Sequence, residues 1–108
     1  MSNYEDRLRR LAFNDQVLLD ELLGVPYNPA GLDQKSLALV RLAALIAVDG
    51  PDPSFGEQTD AALSAGATTD EIVAVLIGVT AVVGVPRVVS GAPKLALALG
   101  LDLDLLVD

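Results

Sequence analysis

The stretch AALSAGATTDEI, residues 61–72, contains the signals from which the fold is predicted. Gly66 follows an apolar run, and glycine often ends a helix because it adopts a left-handed backbone without strain. Two residues later, TTDE has the pattern of a capping box, in which the side chains of Thr68 and Glu71 each accept a hydrogen bond from the other's backbone N–H. The stretch therefore predicts the end of one helix, a short turn and the start of the next helix.

Similar signals, a polar capping residue before an apolar run and a glycine after it, recur along the chain. The residues predicted to cap helices are Ser2, Asn14, Asp33, Asp52 (with Pro53 as the first helical residue) and Thr68. The residues predicted to end them are Gly24, Gly50, Gly66, Gly84 and Gly100. Residues 34–48, 72–83 and about 87–99 are predicted to be helical, although the valines and isoleucines of 72–83 also suit a buried strand. These signals indicate an all-α chain.

Charge and composition restrict the partners of the chain. Fifteen acidic residues against seven basic ones give a net charge of −8, which disfavours a nucleic acid or an anionic membrane as a partner. The N-terminal sequence lacks a charged segment followed by an apolar one, so we expect a cytoplasmic location rather than export. Apolar residues make up 52% of the chain. This content predicts that some apolar surface is buried between identical subunits, with an ordinary monomer as the alternative.

Cysteine and histidine are both absent from the sequence. Their absence excludes disulfides, thiolate nucleophiles, a histidine general base and zinc sites built from these residues. The carboxylates do not have the spacing of a calcium-binding loop. We therefore expect no metal and no other cofactor.

Three segments together resemble the carboxymuconolactone decarboxylase family, which includes alkylhydroperoxidase D. They are LDQKSLALVRLAALIAV (32–48), AALSAGATTDEIVAVL (61–76) and VVGVPRVVSGAPKLALALG (82–100). The resemblance implies a single domain over residues 1–108, with variable leader helices in 1–31, the family core in 32–100 and an acidic tail in 101–108. It also implies an antiparallel helix-pair bundle of about six helices, assembled into a homotrimer or homohexamer with active sites near the subunit contacts.

The redox branch of that family carries C-x-x-C-x-x-x-H, with a glutamate twelve residues before the first cysteine. Aligned on residues 61–63, the two cysteine positions fall on Pro51 and Ser54, the histidine position on Gln58 and the glutamate position on Leu39. None of the four matches, so no catalytic role is transferred to this chain. Thiol–disulfide exchange also requires a thiolate, and peroxidase activity is therefore not expected.

Two arginines are candidates for a binding pocket. Arg41 is the one charged residue between positions 37 and 48. It is expected either to bind a substrate carboxylate or to pair with a protein carboxylate such as Asp49. Arg87 follows a helix break and either faces the same cavity or lies at the surface. Lys94 is expected to face solvent.

Three polar residues after the turn complete the candidate pocket. Ser54 and Gln58 lie four residues apart on one helical face, and Glu57 lies beside them. They are expected either to line a pocket as hydrogen-bonding groups or to form a solvated surface.

Three functions fit these observations. The first is a non-redox family member that has lost the catalytic set and acts as a homo-oligomeric binding or accessory protein for a small acidic or apolar metabolite. The second is a cofactor-free decarboxylase or lactone-processing enzyme, a carbon–carbon lyase that uses arginine and polar side chains. The third is a purely structural oligomer, which would lack a pocket above about 300 Å³. The first is preferred.

Overall fold

The computed structural model describes residues 3–23 and 31–102, and the regular structure in these stretches is helical. The helices are α1 (Asn3–Ala12), α2 (Gln16–Leu23), α3 (Gln34–Val48), α4 (Asp52–Ser64), α5 (Thr69–Gly78), α6 (Thr80–Val83) and α7 (Val85–Ala98). Because α6 is a single turn, the predicted all-α fold of about six helices is confirmed. The signals predicted at Ser2 and Gly24 and most of the acidic tail lie outside the described residues.

The described residues among 1–30 form one compact unit, in which α1 and α2 pack against each other. The predicted cap of α2 at Asn14 is wrong by one residue. Asp15 caps the helix, since its Oδ1 accepts a hydrogen bond from the Leu18 backbone at 3.2 Å. Asn14 instead ends α1 in the left-handed region, at a φ of 58° that asparagine tolerates better than most residues.

The described residues from 31 to 102 form the second compact unit, which contains α3–α7. The bounds of α3 agree with the predicted 34–48, and Asp33 caps it through a 2.6 Å hydrogen bond from the Ser36 backbone. Asp49 ends α3 with a φ of 56° in the left-handed region. The Gly50 N–H then bonds back to the Leu45 carbonyl at 2.9 Å, which completes a Schellman-type end.

The start of α4 differs from the prediction by one residue. Pro51, rather than Asp52, occupies the N-cap position with an extended backbone and no side-chain hydrogen bond. Asp52 is the first helical residue and Pro53 the second, where a missing N–H still costs no intrahelical bond. The Pro51 carbonyl accepts from the Ser54 and Phe55 backbones at 3.1 and 3.3 Å, so proline can serve as the cap through its carbonyl alone.

The stretch 61–72 folds as predicted. Gly66 has a φ of 96° after the end of α4, and both bonds of the capping box between Thr68 and Glu71 are 3.0 Å long. The predicted helix 72–83 is interrupted at Val79, which separates α5 from α6. At this break the Thr80 hydroxyl donates to the Leu76 carbonyl at 3.2 Å, a side-chain bond of the kind that bends helices.

The core of the second unit lies where α3, α4, α5 and α7 meet. It is aliphatic except for Phe55, which is fully buried. The cluster consists of Ala38, Leu42, Ile46, Phe55, Ala62, Ala67, Ile72, Leu76 and Leu95. None of the helices in residues 3–23 and 31–102 has the length and apolar content needed to cross a lipid bilayer.

Candidate functional site

A groove of about 310 Å³ runs between α3 and α4. It brings together four of the five predicted pocket residues, which are Arg41, Ser54, Glu57 and Gln58. Its remaining lining is apolar and comes from Ala44, Leu45 and Val48. The groove therefore combines one cation, one carboxylate and two neutral hydrogen-bonding groups with an aliphatic wall.

A second depression of about 320 Å³ continues the groove along the same two helices and shares Arg41 and Gln58 with it. In this second part Gln34, at the start of α3, lies near Ala65, just after the end of α4. The first part joins the end of α3 to the beginning of α4. The two helices are therefore antiparallel, and Arg41 and Gln58 lie where the two parts of the groove meet.

Helical spacing explains why these side chains share the groove. Arg41, Leu45 and Val48 are separated by four and three residues and so lie on one face of α3. Ser54 and Gln58 are separated by four residues on α4 and face them. The sequence predicted that Ser54 and Gln58 share a face, and the turn at residues 49–51 places this face opposite Arg41.

Arg87 is separate from this set: it pairs with Asp49, with 3.5 Å between Nη1 and Oδ2. Asp49 also accepts hydrogen bonds from Ser90 at 2.6 Å and from Lys94 at 2.9 Å. The Ser90 hydroxyl, and then the Lys94 ammonium, hold the pKa of the Asp49 carboxyl below its ordinary value. The sequence left open a pair between Arg41 and Asp49, but the ion-pair partners that the structure gives Asp49 are Arg87 and Lys94.

The prediction that Lys94 faces solvent is wrong. Its side chain is only 22% exposed, and its ammonium donates both to Asp49 and, at 2.8 Å, to the Gly50 carbonyl. The ammonium also lies 5.9 Å from the centre of the Phe55 ring, within cation–π range. Sequence reasoning missed this cluster because Lys94 contacts a turn more than forty residues earlier in the chain. The available signal was the spacing of Ser90 and Lys94, which puts two donors on one face of α7.

A wider groove of about 770 Å³ lies between the start of α4 and the second half of α7. Asp52, Ser90, Lys94 and Asp102 are among its lining residues. Its cation, Lys94, is already bonded to two acceptors of the α3–α4 turn, and the two aspartates add negative charge. The two aspartates therefore disfavour an anionic ligand in this groove.

The four positions that carry the redox set in relatives have different surroundings in this structure. Ser54 and Gln58 line the groove, Pro51 caps α4, and Leu39 packs against the core cluster. A carboxylate at position 39 would thus replace a side chain that contacts aliphatic residues. Within the described ranges there is no group of three or more carboxylates that could hold a metal ion.

Comparison with known proteins agrees with the helical architecture. The sequence profile of the carboxymuconolactone decarboxylase family matches residues 17–96, and the match begins within α2, earlier than the resemblance at 32–100 suggested. Searches of curated proteins and of solved structures gave no match. The family match covers well over half of the chain, and the sequence contains no cysteine. The chain therefore belongs to the carboxymuconolactone decarboxylase family, as a divergent member without the C-x-x-C-x-x-x-H motif.

Proposed function

We propose that this protein is a non-redox member of its family that has lost the catalytic cysteine, histidine and glutamate set. It acts in the cytoplasm as a homo-oligomeric binding or accessory protein for a small metabolite. The binding site is the groove between α3 and α4, and the preferred ligand has a carboxylate and a short apolar body.

The observation that carries this proposal is the position of Arg41 beside the aliphatic wall of the groove. A guanidinium presents a planar pair of donors that matches a carboxylate, while Leu45 and Val48 offer apolar contact next to it. Ser54 and Gln58 can hydrogen-bond to further oxygens of the ligand. A volume of about 310 Å³ is at the low end for ligand cavities, which favours a small molecule.

Exposed apolar side chains support the homo-oligomeric part of the proposal. Several valines, leucines and isoleucines of the second unit are more than half exposed. They are Val40, Val48, Ile77, Val82, Val85, Val89 and Leu97. Contact between subunits would remove this surface from water. We expect a trimer or hexamer in sedimentation experiments, and a monomer across the accessible concentration range would contradict this part of the proposal.

A cofactor-free carbon–carbon lyase is the second candidate, favoured by the presence of Arg41 and Glu57 in one groove. In this alternative the arginine holds a substrate carboxylate, and Glu57 acts as a proton donor or acceptor beside it. Release of carbon dioxide from a carboxylated lactone, abolished by Glu57→Gln, would support this alternative over binding alone. We expect no turnover of an organic hydroperoxide by the purified metal-free protein, because the chain has no thiolate to react with it.

The binding proposal is tested by titrating the ¹⁵N-labelled protein with benzoate and levulinate, and with benzamide as a neutral control. We expect both carboxylates to shift the amide resonances of residues 54–58 and the amide to have little effect. Arg41→Gln should weaken carboxylate binding about tenfold, since hydrogen bonds to charged groups are the strong ones. Lys35→Gln is the charge-matched control, because Lys35 pairs with Glu71 outside the groove lining. Equal effects of the two variants, or no shift of residues 54–58, would refute the proposal.

A further inference from the structure

The turn between α3 and α4 sets how the two sides of the groove face each other. Val48, the last residue of α3, and Ser54, in the first turn of α4, both line the groove. Only Asp49, Gly50 and Pro51 lie between the two helices. A change in the backbone of these three residues therefore moves Ser54 relative to Arg41.

The turn is held from outside by one face of α7. Lys94 binds it twice, through the Asp49 carboxylate at 2.9 Å and the Gly50 carbonyl at 2.8 Å. Ser90 donates to the same Asp49 oxygen at 2.6 Å, and Arg87 pairs with the other oxygen at 3.5 Å. Positions 87, 90 and 94 lie on one face of α7. Their side chains thus converge on two consecutive residues of the turn.

Two residues of the turn have restricted backbone surroundings. Asp49 has a φ of 56°, in a region that side-chain-bearing residues seldom adopt. Gly50 is buried so closely against α3 that an added Cβ would lie 2.7 Å from Leu45 Cδ2. The Schellman-type bonds to α3 and the contacts from α7 together hold this conformation.

We propose that Lys94 is a positioning residue for the α3–α4 groove, which it organises through Asp49 and Gly50 without lining it. The consequence for ligand affinity rests on the function proposed above, whereas the effect on groove geometry does not. Removal of the ammonium leaves the Gly50 carbonyl and the Asp49 carboxylate with fewer donors. The turn then populates other conformations, and apparent affinity falls in proportion to the remaining binding-competent fraction.

The first experiment measures benzoate binding by the full chain carrying Lys94→Met, which keeps the length of the side chain and removes its charge. We expect the dissociation constant to rise about threefold or more, because two charge-assisted hydrogen bonds to the turn are lost. Lys94→Arg should recover most of the affinity. Thr68→Ala is the control for general destabilisation, since it removes the cap of α5 and lies outside the groove lining. An unchanged affinity in Lys94→Met, or an equal loss in Thr68→Ala, would overturn the proposal.

The second experiment tests the geometry of the groove without a ligand, through the reactivity of an introduced thiol. Because the chain contains no cysteine, Ser54→Cys introduces a single thiol at the groove, and its alkylation by iodoacetamide reports the local environment. Adding Lys94→Met should change the alkylation rate about threefold or more, while adding Thr68→Ala or Lys94→Arg leaves it near the parent value. Equal rates in all four proteins would contradict a positioning role for Lys94. If benzoate does not bind the unmodified groove, the proposed function fails while the thiol comparison still decides the role of Lys94.

Discussion

Thr59 shows at the scale of a single residue that this core is not fully optimised. It is the one buried polar side chain among the described residues, with no exposed surface, and its hydroxyl has no hydrogen-bond partner among them. It lies on the core-facing side of α4, one turn from Phe55 and from Ala62. A buried hydroxyl without a partner loses its hydrogen bonds to water and gains nothing in return.

Replacing Thr59 by valine should therefore stabilise the protein by about 1 kcal/mol, because valine keeps the shape and removes the hydroxyl. Urea unfolding followed by circular dichroism measures the change. Thr59→Ala is the matched control and should destabilise the fold by leaving a cavity. A loss of stability in Thr59→Val would indicate that the hydroxyl has a partner, such as a buried water molecule.

The site residues show which contacts a linear sequence can predict. Residues four apart lie on the same face of a helix, so the shared face of Ser54 and Gln58 on α4 was predictable. The same spacing places Arg41 and Leu45 on one face of α3. The contact between Lys94 and Gly50 depends on how α7 packs across the turn. No local pattern encodes that packing, and Lys94 was consequently expected to face solvent.

At the scale of the helices, two glycines have opposite roles. Gly50 leaves no room for a Cβ, whereas an added Cβ at Gly56, within α4, would meet no atom within 4 Å. A Cβ at Gly50 therefore requires the end of the Leu45 side chain to move, whereas Gly56 weakens a helix interior without an evident packing reason.

We expect Gly50→Ala to destabilise the protein by about 1 kcal/mol, because the end of the Leu45 side chain must move to make room. Gly56→Ala should stabilise it by about 0.5–1 kcal/mol, since alanine has the higher helix propensity. Thermal unfolding of the two single variants measures both effects. Opposite signs are the outcome that the structure requires, and destabilisation by Gly56→Ala would contradict it.

Helix boundaries were predictable at two of the side-chain caps, whereas the cap of α2 is the side chain of Asp15 and not, as predicted, that of Asn14. Asp33 and the pair of Thr68 and Glu71 make the expected hydrogen bonds, and α3 has the expected bounds. Predictions also failed where a helix begins without a side-chain cap and where a helix is interrupted within an apolar run. Pro51 caps α4 through its carbonyl alone, and the break at Val79 accompanies a bond from Thr80 to the preceding turn. The pattern of capping side chains in the sequence marks neither of these two places.

At the scale of the whole molecule, stability should decrease in acid. Hydrogen bonds and ion pairs lower the pKa of four carboxyl groups, those of Asp15, Asp33, Asp49 and Glu71. A carboxyl with a lowered pKa binds protons less readily in the folded chain than in the unfolded chain. Its contribution is therefore complete above the ordinary carboxyl pKa of about 4 and is lost as the pH falls through the lower folded value.

Urea midpoints should accordingly remain nearly constant from about pH 7 to about pH 5 and fall below about pH 4. Asp49→Asn should reduce this dependence, because the largest set of donors converges on that carboxylate. Asp60→Asn is the control, since Asp60 is an exposed carboxylate that takes part in none of the described ion pairs. If the urea midpoints of Asp49→Asn depended on pH as those of the parent protein do, the contacts of Asp49 with α7 would not link stability to protonation.

The burial of Phe55 has a consequence for spectroscopy. Tyr4 and Phe13 are 68% and 80% exposed, so Phe55 is the one aromatic ring that the described residues enclose. Its ring current acts on the methyl groups packed around it and on the ammonium end of Lys94, 5.9 Å from its centre. A one-dimensional proton spectrum should therefore show a few upfield methyl lines that all depend on this ring. The pH or temperature at which these lines disappear would show when the packing around Phe55 is lost, without an added label.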